Sequence, residues 1–324
     1  MDGHVGRSES RAVTTPVPSR PSDTLPHPAA RGMGEGRGGG LDRRATFRWL
    51  YLPPLLWLGL FFLIPLSLMA AFSFRANIRG NLLQWWTPTL AHYTSLAATG
   101  SYWRLLGISA LMAFGVATIA VILAYPVAYF LAFRAGRRAG LYLVLLLIPF
   151  WTSYLLRVMA WKLMLGTEGV INSFLQYVGL IQEPLTALLY NRNAVVVTLI
   201  YVWIPFATLP ILAALQRIEP NLFEAAADLG ARPFQQFRRI TLPLSLSGVF
   251  GAFFMVFIPT IGEYVTPLLV GGSRGSMYGN IIQDFFTKAA NWPLGSALSM
   301  VMLVTTLLLV FIATRIINIR DLLE

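Results

Sequence analysis

Glu224-Ala225-Ala226-Ala227-Asp228-Leu229-Gly230, followed by Ile240, Leu242 and Pro243, is a polar, alanine-rich island between two long apolar runs, 194–215 and 246–270. Alanines at 225–227 favour a helix over 222–229. Asn221 stands three residues before Glu224 in the spacing of a capping box, and Pro220 before it discourages an earlier helix from running through. Gly230 sits where a left-handed C-terminal cap is wanted. Pro233 suits the first turn of a second short helix, 233–239, and Pro243 is expected to end it before the next apolar run. The spacing predicts two short helices meeting at an angle, with a small-residue face at Ala225 and Ala226 and an apolar segment directly behind. An ordinary amphipathic loop helix would satisfy the same local physics.

What lies around this island is a membrane protein. Of 324 residues, 56% are hydrophobic and 12% charged, and the mean hydropathy is +0.62. A soluble domain of this length has no way to hide so much apolar surface. Apolar segments near or above the roughly 20 residues that cross a bilayer as helix run over 49–74, 105–133, 141–165, 194–215, 246–270 and 293–317. They are too long and too little alternating for barrel strands, so the spans are expected to be helices. Trp49 and Tyr51 suit the interface at the start of the first, and Pro53, Pro54 and Pro65 are candidates to kink it.

The net charge of +11 follows the loops. Arg43, Arg44 and Arg48 precede the first span; Arg134, Arg137 and Arg138 follow the second; Arg217, Arg232, Arg238 and Arg239 follow the fourth; Arg315 and Arg320 follow the last. With six spans these all fall on one side, which the positive-inside rule makes the cytoplasm, with both termini there. The charge therefore reports topology and gives no reason to expect a nucleic acid. Residues 1–44, rich in Pro, Gly, Ser and Arg, cannot bury a core and are expected to form a disordered cytoplasmic tail, with Met33 a candidate start. The segment 75–104 carries Trp85, Trp86, Tyr93 and Trp103, suited to a membrane surface or to a cap on the bundle. In 166–193, Asn172 or Ser173 is a candidate cap for a short helix.

Chemistry is sparse. With no cysteine, disulfides, thiolate metal sites and cysteine nucleophiles are excluded, and His4, His27 and His92 show no ligand spacing. No cofactor is expected. There is no Gly-x-x-x-x-Gly-Lys-[Ser/Thr] phosphate loop, no His-Glu-x-x-His and no Gly-x-Ser-x-Gly. The chain is not expected to be an enzyme or to hydrolyse ATP itself. Ionisable groups inside spans are costly and mark function. Glu263, between Gly262 and Tyr264 with Pro259 and Pro267 nearby, sits where the helix backbone can open, and Arg157 lies in the third span. Trp151, Tyr154 and Tyr264 add aromatic faces suited to a cation, worth about 0.5–2 kcal/mol each. These five line a solute path, or Arg157 and Glu263 form a structural pair and the aromatics pack.

The loop spacing, Glu-Ala-Ala, three residues, Gly, nine residues, Ile, one residue, Leu-Pro, resembles in every position the cytoplasmic loop of permeases of the ATP-binding-cassette (ABC) importer family. Pro149-Phe150-Trp151-Thr152-Ser153-Tyr154-Leu155-Leu156-Arg157 resembles the third-span signature of the spermidine/putrescine-type permeases. So do Gly169 to Asn172-Ser173, Tyr190-Asn191, Gly262-Glu263, Pro267, Gly271-Gly272, Gly279-Asn280 and the run from Asn291 to Ala297. The resemblance covers about residues 48–320 and implies an all-α integral membrane fold of six transmembrane helices, the type I (MetI-like) permease architecture. Residues 45–324 would form the permease domain, with a docking loop at 217–243. It also implies that Glu224, Ala225, Ala226, Gly230, Ile240, Leu242 and Pro243 dock on an ABC ATPase dimer. A second related permease, an extracytoplasmic solute-binding protein and membrane lipid would be the other partners, in the cell inner membrane. The cargo implied is a polyamine or similar small solute. The same machinery in similar proteins carries opines, amino-acid derivatives or phosphonates, and an ATP-independent transporter is the remaining alternative.

Overall fold

Lipid offers a backbone amide no partner, so every break in a membrane-crossing helix must be repaired by the protein itself. In the computed structural model, residues 43–76 and 87–317 are described. They form α1 (Arg43–Leu58), α2 (Ile64–Ser73), α3 (Ala91–Ala98), α4 (Gly100–Phe133), α5 (Ala139–Leu147), α6 (Tyr154–Leu165) and α7 (Val170–Tyr177). After these come α8 (Arg192–Leu215), α9 (Pro220–Asp228), α10 (Pro233–Gln236), α11 (Leu242–Ile261), α12 (Tyr278–Thr287) and α13 (Trp292–Ile317). The chain up to Leu56 is one unit, a helical stretch carrying Pro53 and Pro54 where it is described, and the chain from Trp57 on is a second. The expected tail lies outside the described residues except for Arg43 and Arg44, which already belong to α1, and Trp85 and Trp86 of the aromatic segment lie outside them too.

Five of the expected spans correspond to uninterrupted apolar stretches: Tyr51–Ser73, Gly100–Phe133, Arg192–Leu215, Pro233–Ile261 and Trp292–Arg315. The third differs. In place of one helix over 141–165, Gly136–Trp151 and Tyr154–Tyr177 meet at 87°. Pro149 lacks an amide donor, the helix tightens to a 3₁₀ turn at Ile148–Trp151, and Thr152 is extended (φ −84°, ψ 152°). The Thr152 hydroxyl donates back to the Pro149 carbonyl at 2.6 Å, which repairs part of the break.

The fifth span also differs from expectation. Pro243 does not end the second elbow helix; α10 runs without interruption through a π turn, Phe237–Thr241, into α11. Leu242 N–H donates to the Phe237 carbonyl five residues back, and the wider turn leaves room for the Pro243 ring that an α-turn would crowd. The same device recurs at Pro65, where the π turn Gly59–Leu63 precedes α2 and Ile64 N–H donates to Gly59. At the far end α11 stops at Ile261, short of the expected 270, and Glu263 and Tyr264 are non-helical.

The core is the packing of α4, α8 and α11. On α4 five of the buried residues are alanines, Ala113, Ala117, Ala120, Ala124 and Ala128, on one face at helical spacing, with Met112, Val116, Val121 and Leu131 beside them. Against them lie Val195, Leu199, Ile211 and Leu215 of α8 and Ala252 and Val256 of α11. Gly248 marks the closest approach: a Cβ there would stand 2.5 Å from Ala214 Cβ and 2.6 Å from the Pro210 carbonyl. Helix α7 starts at Val170, so Asn172 is not its cap. It is buried inside the helix, where its amide donates to Gly166 O and Leu185 O and accepts from Leu185 N at 2.9 Å, pinning the loop beyond. Gly248→Val should lower stability by about 1–3 kcal/mol through overpacking. Thermal unfolding in detergent checks this, and an unchanged midpoint would contradict it.

Candidate functional site

The elbow forms as the residues dictate, with one difference at its start. Pro220 occupies the first position of α9 behind Glu219 (φ −68°, ψ 133°), so Asn221 lies within the helix and no capping box forms with Glu224. At the other end Gly230 takes φ +79°, a conformation that side chains resist. Its N–H donates to Ala227 O at 2.8 Å while Ala231 N–H reaches Ala226 O at 2.9 Å, the paired bonds of a Schellman cap. Gln235 Oε1 then accepts from Arg232 N at the start of α10. Gln236 Nε2 donates to Phe223 O and Ala231 O, tying the two limbs together.

Every docking residue expected from the sequence lies on or beside this elbow. Glu224, Ala225, Gly230, Leu242 and Pro243 are exposed, and Ala226 and Ile240 are half-buried. Between the limbs is a concavity of about 460 Å³ walled by Ala226, Leu229, Gly230, Gln235 and Arg239. Beside it, Leu229 is 89% exposed and Phe234 72% exposed. Sequence reasoning did not single out these two apolar knobs, although each directly flanks a turn residue it did use.

A second constellation lies at the other end of α11, where the chain breaks. Glu263 is half-buried, and its Oε1 accepts from the backbone N–H of Val265 (2.8 Å) and Thr266 (3.1 Å), capping the turn that follows. Asn280 of α12 donates to Tyr264 O at 2.8 Å and accepts from Met277 N at 2.9 Å. Gly279 lets α12 approach: a Cβ there would stand 2.6 Å from Gly262 O and 2.8 Å from Glu263 O. The Tyr278 amide is in turn held by Ser109 Oγ of α4 at 2.8 Å. The break is thus a built feature whose freed backbone groups are answered by neighbouring helices.

The bent third span meets this break. The Tyr154 hydroxyl hydrogen-bonds Thr266 Oγ1 at 2.6 Å and also interacts with the Glu263 carboxylate. The Arg157 guanidinium lies over Phe150 at 4.5 Å and over Tyr154 at 5.9 Å, with its Nε buried and without a hydrogen-bond partner. Tyr154, Arg157 and Glu263 therefore come together, but the expected alternative of a direct Arg157–Glu263 pair is not formed. The one ion pair among the described residues is Lys288–Asp284. Tyr264 is half-exposed beside Glu263, whereas Trp151 is 82% exposed at the bend and points away from packing. Lys162 stands over the Tyr190 ring at 5.9 Å. No group of three or more metal-ligating side chains occurs among the described residues.

Comparison with known proteins places the whole chain in a family. The family model of the binding-protein-dependent transport system inner membrane component matches residues 41–321. The spermidine/putrescine transport system permease protein PotB of Haemophilus influenzae is 34% identical over 263 residues, 80% of this chain and 90% of its own length. The PotB of Escherichia coli is 33% identical over 266 residues, 81% of this chain and 95% of its own. A solved bacterial alginate ABC transporter, in complex with an alginate pentasaccharide-bound periplasmic protein, shares the fold. Its TM-score is 0.62 at 18% identity, over 84% of this chain and 94% of the other.

Removing the Asn280 amide strands the Tyr264 carbonyl and the Met277 N–H, which should cost about 1–2 kcal/mol for each group. Asn280→Leu should therefore unfold at lower temperature in detergent than the parent, and equal stability would contradict the role assigned to α12.

Proposed function

Because the chain belongs to the family of binding-protein-dependent transport system inner membrane components, we propose that it carries a polyamine across the inner membrane as the permease subunit of an ABC importer. The observation that carries the cargo is the 33–34% identity to the two PotB permeases, spread over at least 90% of their length. The local chemistry is compatible: one Glu263 oxygen caps the backbone, and the other oxygen, with the Tyr154 and Tyr264 rings, suits a passing ammonium group.

ATP is spent in a partner chain. An ATPase dimer grips the elbow through Glu224, the Ala225–Ala226 face and the exposed Leu229 and Phe234, with Ile240, Leu242 and Pro243 carrying the grip into α11. The arginine-rich loops and both termini face the cytoplasm with the elbow. From the elbow to Glu263 the chain covers about 33 Å of helical rise, one bilayer thickness, so the broken segment faces outward. There a solute-binding protein delivers cargo, beside a second, related permease. Closure of the ATPase dimer shifts the elbow and biases a two-state exchange of the path between the two sides.

One observation favours a second reading of the cargo. Arg157, in no ion pair, would repel a polycation and would suit a solute with an anionic group, such as a phosphonate or an amino-acid derivative. Calorimetry on the binding protein that works with this chain separates the two. Tight binding of spermidine or putrescine is expected; binding only of an anionic or neutral solute would remove the polyamine assignment and leave the importer. Glu263→Gln should then lower uptake several-fold with assembly unchanged, and normal uptake would contradict its place on the path.

Glu224→Lys and Gly230→Asp should each release the ATPase or cut its substrate-stimulated turnover by at least about fivefold. Co-purification of the ATPase with normal stimulation from both variants would contradict the docking assignment.

A further inference from the structure

Apart from the short loop that enters α9 from α8, the elbow is joined to the membrane bundle twice, once by the chain and once by aromatic rings. The chain connection is α10 through the π turn to α11. The second connection runs to α4, which is far away in sequence. Tyr125, Tyr129 and Phe133 lie one helical turn apart on a single face of α4. Phe237, in the π turn, packs edge-on against Tyr125 (5.9 Å) and Tyr129 (6.0 Å). Phe223, in α9, packs edge-on against Phe133 (5.5 Å), and Tyr129 and Phe133 touch at 5.0 Å. Both limbs of the elbow are therefore bound to the same face of α4. The Tyr125 hydroxyl adds a cross-brace to Ser245 Oγ of α11 at 2.9 Å.

Helix α4 continues for 34 residues, and Ser109 near its other end holds the Tyr278 amide, whose neighbours Gly279 and Asn280 support the break at Gly262–Tyr264. From Tyr125 to Ser109 is about 24 Å of continuous helix. One continuous helix, with Pro126 between the Tyr125 and Tyr129 contacts, thus touches both the elbow and the broken segment, alongside α11, which joins them through the chain. Edge-on ring pairs hold such an attachment at fixed geometry.

We propose that Tyr129, Phe133, Phe223 and Phe237 are positioning residues that lock the docking elbow to α4, so that movement of the ATPase reaches the outer break through α4 as well as through α11. The proposal rests on the docking reading given above. The two are told apart by the parent complex: if it retains no ATPase and shows no ATP-driven uptake, the docking reading fails, whereas the rings are tested only by variants compared with a working parent.

The test uses the complete complex in proteoliposomes, with uptake and ATP hydrolysis measured together. Phe133→Ala and Phe237→Ala should keep the ATPase bound but lower solute moved per ATP by at least about fivefold, while Tyr129→Phe, which keeps the ring, should behave as the parent. An unchanged ratio would overturn the proposal. So would release of the ATPase, since the rings would then shape the docking surface instead of carrying its movement. Because the chain has no cysteine, a Phe133→Cys, Phe223→Cys pair can also be bridged by a short thiol cross-linker without background from the chain itself. The unbridged pair has lost both rings and should show the same lowered ratio, and bridging, which locks the two parts together again, should raise uptake per ATP; no rise would contradict the proposal. Loss of uptake on bridging, at measured cross-link yield, would show that elbow and α4 move apart and would overturn the proposal even if the alanine variants fail to assemble.

Discussion

Everything distinctive in this fold follows from the need to satisfy backbone groups where water is absent. A straight apolar helix meets that need alone, and α4 and α8 stay helical throughout even across Pro126, Pro205 and Pro210. Where the chain departs from it, a specific partner appears: Asn280 on the Tyr264 carbonyl, Glu263 on the Val265 and Thr266 amides, the Thr152 hydroxyl on the Pro149 carbonyl. Each partner is worth only about 1 kcal/mol net, but its absence would leave a polar group unpaired in a medium that does not forgive it. The breaks are therefore stable features, and the candidate path side chains sit on them.

That constraint explains how Glu263 can combine its structural duty with the one proposed for it on the solute path. A carboxylate at the end of α11 is expensive to bury, and backbone amides offer it compensation through one oxygen. Tyr154 then bridges Glu263 and Thr266 to the bent third span, with Arg157 stacked on the same ring. A cation stacked on aromatic faces and a carboxylate capping a turn, a few side chains apart but not paired, leave the site responsive to a charged visitor.

The elbow was legible because its signals are local and carried by residues with few conformational options. Gly230 takes a left-handed conformation and Pro233 opens a helix, and both positions could be assigned from spacing alone. The reading of Asn221 as a cap failed because Pro220 can itself occupy the first helical position, and nothing local decides between the two. Pro243 was read as a stop because a proline ring clashes in an α-turn; the π turn before it removes that clash. The breaks were half legible: Gly262, Pro259 and Pro267 signal weakness in the fifth span, whereas the 87° bend at Pro149 falls inside what the apolar run presents as a single helix. The support given by Ser109, Gly279 and Asn280 and the ring contacts between Phe133 and Phe223 join residues far apart in sequence, and no periodicity reports them.

On the proposed reading, the subunit receives mechanical work at one membrane face and exposes a polar break at the other. The most direct test is uptake of labelled spermidine into proteoliposomes containing the purified complex, with binding protein outside and ATP supplied on the side of the elbow. Uptake that requires both ATP and the binding protein is the expected result. Solute entering equally well without ATP would contradict the coupling on which this reading of the elbow depends.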